Sequence, residues 1–207
     1  MTIKDKITIV PNFLSSDQCQ EIMKWIDDNK DGPLFFRRKG LAHNEGIAYR
    51  AAFPLTKMPI DFIELRPIID EYANKMIQNF YDLYNIKETL YLHMVGIHRL
   101  TPGIQFELHQ DSAQDASLIS HSGGIYLNDD YDDGEIVFLD SFERVSDFDI
   151  YSDDMGGFVY KPIAGDLVMF PAETWHGGRK VLRGDRDCLL LWLTKNKDEA
   201  IDWSKNY

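Results

Sequence analysis

Cysteine is scarce in this chain: 207 residues hold two, Cys19 and Cys188, too few for a disulfide scaffold. Cys19 falls on an apolar helical stripe and Cys188 in a hydrophobic run. Both read as buried free thiols, and the compartment expected is the cytoplasm. Long apolar runs are missing too. None approaches the roughly 18 residues needed to cross a bilayer, and the opening MTIKDKITIVPNF lacks the apolar core and small-residue cleavage site of a secretory leader. No membrane partner is expected. Basic charge is in deficit, with 22 Lys and Arg against 34 Asp and Glu and a net charge of -12. Such a field repels phosphate backbones, which argues against nucleic acid as a partner. The one basic cluster, Arg37-Arg38-Lys39, reads as the solvated surface of a loop.

What is present is core material. Hydrophobic residues make up 44% and aromatics 13% of the chain, enough apolar surface to offset chain entropy. One domain over residues 1–207 is expected. Ser15 with Gln18 forms a capping-box candidate, and Cys19, Ile22, Met23 and Ile26 follow at helical spacing. A short strand, ITIV, precedes this helix. A second helix is predicted from near Pro67 to about Tyr84, with Ile69, Tyr72, Met76 and Phe80 as its apolar stripe.

From Tyr91 the period changes. YLHMVGIHRL, IQFELHQD, GGIYLN, EIVFLD, GFVYKP, DLVMFP and DCLLLWLT are β-rich runs divided by Gly, Pro, Asn and Asp. Without helices between them they suit antiparallel sheets, so the fold class expected is mainly β with flanking helices. It takes the form of a sandwich or jelly roll over residues 91–207, with a helical support region over 1–90 buttressing one sheet from outside. The acidic stretches at 128–135 and 146–157 read as surface loops.

His109 and Asp111 lie two apart in FELHQD, a spacing that aims both side chains to one side of a strand. His176 in TWHGG supplies a third ligand. Two histidines and a carboxylate form the facial triad of non-haem Fe(II) oxygenases, although zinc accepts the same ligands. Arg186, ten residues after His176, points into the barrel if the last run alternates, and its guanidinium fork suits a buried carboxylate. No Ser-His-Asp or paired-carboxylate arrangement stands out. His43, His93, His98 and His121 read as structural, and Trp192 as core.

TPGIQFELHQD, IYLNDDYDDGE, AGDLVMF, WHGGRKVLRGDR and Trp192 follow one another in this order. Together with PNFLSSDQCQEIMKWI they resemble the Fe(II)/2-oxoglutarate-dependent dioxygenases, in their prolyl 4-hydroxylase-like branch. The resemblance implies a double-stranded β-helix, with Fe(II) as metal and 2-oxoglutarate and O2 as cosubstrates. His109, Asp111 and His176 would be the iron ligands, with Arg186 and Tyr126 on the distal carboxylate of 2-oxoglutarate. It implies hydroxylation of a prolyl residue in a peptide or protein, releasing succinate and CO2. A free amino acid or other small molecule is the alternative substrate, and a binding module without catalysis the alternative function. An intact Asp111 speaks against a related halogenase. Trp192, where nucleic-acid demethylases carry a second arginine, speaks against those.

Three places depart from the pattern. Leu100 replaces a tyrosine expected to line the pocket, Asp133-Gly134-Glu135 replaces a double glycine with glutamate, and the 112–122 interval lacks the usual basic, threonine-rich character. Residues 35–54 read as a loop suited to covering a substrate groove.

Overall fold

The computed structural model describes residues 2–32, 35–39, 47–54, 65–114, 118–141 and 157–200. A 3-10 turn leads into β1 (Thr8–Val10) and α1 (Ser16–Asn29), and β2 (Phe36–Lys39) and β3 (Ile47–Pro54) precede α2 (Arg66–Tyr84). Then come β4 (Tyr91–Leu100), β5 (Phe106–His109), the four-residue α3 (Asp111–Gln114), β6 (His121–Tyr126), β7 (Asp132–Asp133) and β8 (Ile136–Leu139). The chain continues through β9 (Phe158–Tyr160), β10 (Leu167–Pro171), β11 (Trp175–Gly178), β12 (Val181–Arg183) and β13 (Arg186–Thr194).

Both long helices follow their local signals. At the start of α1 the Ser15 hydroxyl accepts from the Gln18 amide at 3.3 Å, and the Ser15 amide donates to the Gln18 side chain at 2.9 Å. Two donors that a helix start leaves unpaired are thereby satisfied. In α2, Pro67 occupies the first turn, where its missing N–H costs nothing, and Asn85 ends the helix in the left-handed conformation at φ 50°. Ile69, Tyr72, Met76 and Phe80 are all buried.

The strands form two main antiparallel sheets, seven strands in the order β1-β10-β6-β13-β4-β3-β2 and four in the order β5-β11-β8-β9. This is the jelly roll expected, with its helices on the outer face of the larger sheet. Leu189, Leu191 and Leu193 of β13 pack there with Ile69, Met76 and Phe80 of α2. The inner face turns toward the smaller sheet, where Tyr126, Val168, Phe170 and Cys188 meet Ile136 and Phe138.

Two expectations need correction, and one strand lies outside the runs expected. The described parts of residues 35–54 are strands β2 and β3, paired with each other and through β3 with β4, so Arg37-Arg38-Lys39 lies on an edge strand. The region 1–90 therefore contributes strands as well as helices. WHGG is itself a strand, β11, between β5 and β8. Within the acidic stretch at 128–135, Tyr131 and Gly134 are buried and Asp132–Asp133 pairs with β12. His43, most of the 146–157 stretch and residues 115–117 lie outside the described residues.

Candidate metal and cosubstrate site

His109 ends β5 and pairs directly with His176 of β11, which puts their rings 4.3 Å apart. Asp111 is not on the strand, as its spacing had suggested, but opens the short turn α3. The bend brings its carboxylate back between the two imidazoles: Oδ1 lies 3.4 Å from His109 Nε2 and Oδ2 lies 3.7 Å from His176 Nε2. One ligand atom from each residue fits within 4.8 Å of the others, a spacing one ion can bridge.

The orientation of each ligand is fixed from behind. His109 Nδ1 lies 2.8 Å from the Glu107 carbonyl, and His176 Nδ1 lies 2.9 Å from the Thr174 carbonyl. Each bond runs to the residue two positions earlier, so each Nδ1 carries the proton and each Nε2 lone pair is left to the centre. The Ser122 hydroxyl donates to Asp111 Oδ2 at 2.6 Å. Burial by itself raises the Asp111 carboxyl, but His109, the field of His176 and Ser122 outweigh it and bring the pKa down to about 2. Burial lowers His176 to about 4 against the opposing pull of Asp111. At neutral pH the pair is an anion and a neutral imidazole, the protonation states that ligate metal.

These side chains face a cavity of about 530 Å³ between the sheets. Arg186, the first residue of β13, lines it too. Its Nη1 donates to the Gly134 carbonyl at 2.6 Å, and its Nε is buried without a hydrogen-bond partner among the described residues. A guanidinium that is 4% exposed and holds an unmatched donor suits an anion. A Cβ at Gly178 would stand 3.0 Å from Nη1, so glycine leaves the room that the fork needs. The Tyr126 ring lines the same cavity, 5.8 Å from the guanidinium carbon, and burial raises its phenol pKa.

Other sequence readings fare differently. Leu100 is fully buried with Ile104, Tyr131 and Val181 and does not line the cavity. Trp192 is buried but lines it, as do His93 and His98. His98 stacks on Phe106 at 5.3 Å with the planes 8° apart. The alternation of β4, which puts Met94, Gly96 and His98 on one face, was the signal available for His98.

Residues 95–194 match the model of the 2OG-Fe(II) oxygenase superfamily. Over these residues, just under half of its length, the chain is similar to that superfamily. Its members use Fe(II), 2-oxoglutarate and O2, and the donor set and the buried arginine found in this cavity fit such a metal and such a dicarboxylate. The chain is 24% identical over 215 residues to prolyl 3-hydroxylase 2 of Mus musculus, spanning 90% of this chain and 29% of that protein. It thus covers under a third of that relative's length.

Among solved structures, a 2OG-Fe(II) oxygenase family oxidoreductase from Burkholderia pseudomallei has a TM-score of 0.68 at 15% identity, covering 92% of this chain and 86% of that one. A Pseudomonas putida prolyl-4-hydroxylase has a TM-score of 0.62 at 14% identity, covering 92% and 93%. These likenesses bear on the fold. No described helix is long and apolar enough to cross a membrane.

Proposed function

We propose that this protein is a 2-oxoglutarate-dependent dioxygenase that hydroxylates an unactivated C–H bond, with a prolyl residue in a peptide or protein as the substrate. The observation that carries the reading is the convergence of His109 Nε2, the Asp111 carboxylate and His176 Nε2 in a cavity that is also lined by a buried arginine. Fe(II) bound by the three side chains supplies the redox chemistry by which O2 and 2-oxoglutarate yield succinate, CO2 and a hydroxylated product.

The chain's own residues bind, orient and exclude. His109, Asp111 and His176 would hold the metal, and three protein ligands would leave coordination positions for cosubstrate and oxygen. Arg186 receives the distal carboxylate of 2-oxoglutarate, and Tyr126 borders the same end. Phe106, Phe170, Leu190 and Trp192 line the cavity with apolar surface, which limits water around the reacting atoms.

One feature favours a peptide over a free amino acid. Among the described residues lining the cavity, Arg186 is the sole lysine or arginine. Once it binds the cosubstrate, no second fixed cation remains among those described residues for a substrate α-carboxylate, which would be costly to bury unpaired. A prolyl residue within a peptide carries no such charge.

The test is to incubate iron-loaded protein with 2-oxoglutarate and either proline-containing peptides or free amino acids, following succinate and the gain of one oxygen by mass. Turnover confined to free amino acids would overturn the peptide assignment. Asp111→Ala should abolish product-coupled succinate formation, and an unimpaired variant would remove Asp111 from the ligand set.

A further inference from the structure

Behind Arg186 the chain makes a tight turn through two consecutive left-handed residues, Asp133 at φ 55° and Gly134 at φ 69°. Glycine suits the second position on steric grounds as well, since a Cβ there would stand 3.0 Å from Val181 Cγ2 and 3.3 Å from the Tyr131 ring. Asp133 holds a conformation that L-residues enter only at a cost. Something must keep it there, because Arg186 is tethered to this turn through the Gly134 carbonyl.

Lys161, just past β9, is placed to do so. Its Nζ donates to the Tyr131 carbonyl at 2.8 Å and to the Asp133 carbonyl at 2.5 Å, and it sits 3.5 Å from the centre of the Tyr131 ring. Two cations thus hold three carbonyls of one short turn, Lys161 those of 131 and 133 and Arg186 that of 134. Lys161 does not line the cavity, so any effect it has on a ligand there passes through the turn.

We propose that Lys161 is a positioning residue for Arg186: it clamps the turn whose last carbonyl orients the guanidinium, and thereby sets the preference for a 2-oxo acid with a distal carboxylate. The inference rests on Arg186 being the partner of that carboxylate. Without the clamp, Asp133 relaxes toward an unstrained backbone and carries the Gly134 carbonyl with it. Arg186 keeps its charge but loses its fixed direction.

The experiment measures binding of 2-oxoglutarate and of 2-oxobutyrate, which lacks the distal carboxylate, to the Mn(II)-loaded protein by calorimetry without oxygen. Lys161→Met should weaken 2-oxoglutarate about tenfold, the scale of one misdirected charge-assisted hydrogen bond, and leave Mn(II) and 2-oxobutyrate binding unchanged. Asp133→Gly removes the strain that the clamp opposes, so the double variant Lys161→Met with Asp133→Gly should recover most of the loss. Lys161→Gln, a milder change that keeps a donor, should fall in between and serves if Lys161→Met does not fold.

Equal weakening of both oxo acids, or an unchanged ratio of their affinities, overturns the proposal. A wild type that does not prefer 2-oxoglutarate, or an Arg186→Gln variant that keeps the preference, shows instead that the reading of Arg186 itself has failed, and the clamp falls with it.

Discussion

Along β6 and β13 successive residues face opposite sides of one sheet, and the two sides are built for different ends. Toward the helices, Ile125, Leu189, Leu191 and Leu193 are all at most 1% exposed and packed against α1 and α2. Toward the cavity, Ser122, Gly124, Tyr126, Cys188, Leu190 and Trp192 alternate with them. The outer face is filled with apolar volume. The inner face leaves space and carries the polar groups that hold Asp111 and border Arg186. Stability and binding are therefore separable to the extent that single residues respect this alternation.

The sharpest way to break the comparison is on the outer face. Leu191→Ala should cost about 2–5 kcal/mol from lost burial and the cavity left behind, read as a fall in the urea midpoint at unchanged slope. The folded fraction should still bind 2-oxoglutarate with wild-type affinity. Altered affinity would mean that the two faces are coupled through the strand.

A buried histidine extends the test to pH. His121, on the helix side, packs at a tilt against Phe80 with the ring centres 4.7 Å apart, and burial lowers its pKa to about 4 from 6.5, with Lys195 adding to the shift and Glu88 opposing it. The folded state keeps it neutral while the unfolded chain takes up a proton below pH 6.5. Its contribution is complete above that pH and is lost as pH falls from 6.5 toward 4, by roughly 3 kcal/mol in all. Denaturation of wild type and His121→Asn at pH 7 and pH 4.5 should show the difference between them shrinking in acid. A constant difference would place His121 in a more hydrated setting.

The smaller effects lie at adjacent glycines. A Cβ at Gly123 would stand 2.3 Å from Met76 Sδ on the helix side, whereas one at Gly124 would meet Leu190 Cδ2 at 3.2 Å on the cavity side. Gly123→Ala should cost about 1–3 kcal/mol through overpacking, with cosubstrate affinity retained. Gly124→Ala should leave the melting temperature nearly unchanged and weaken 2-oxoglutarate by a few-fold at most, since Leu190 can shift. Calorimetry and thermal melts on the two variants check both halves.

The same contrast explains what was readable in advance. The outer face and its helices were legible because burial imposes a period: the stripe Ile69, Tyr72, Met76 and Phe80 is fully buried as expected, and Ser15 caps α1 with Gln18. Strands β2 and β3 escaped because the basic run Arg37-Arg38-Lys39 suggests surface loop and hides a paired strand. WHGG escaped because two glycines weaken any strand signal, yet its pairing with β5 and β8 is what sets His176 opposite His109. The alternation of β4 groups His98 with Met94 and Gly96, but only the assembled sheet turns that face to the cavity.

By itself the sequence determined the elements that carry a period or a cap, and the residue types able to hold a metal and an anion, since these depend on neighbours a few positions away. Tertiary structure decided where those residues point. Asp111 leaves its strand to reach between two imidazoles, and Tyr131, Gly134, Lys161 and Arg186 gather around one turn from distant parts of the chain. The reason is physical: such contacts are fixed by strand pairing and chain closure across the whole sheet, and no local periodicity encodes them.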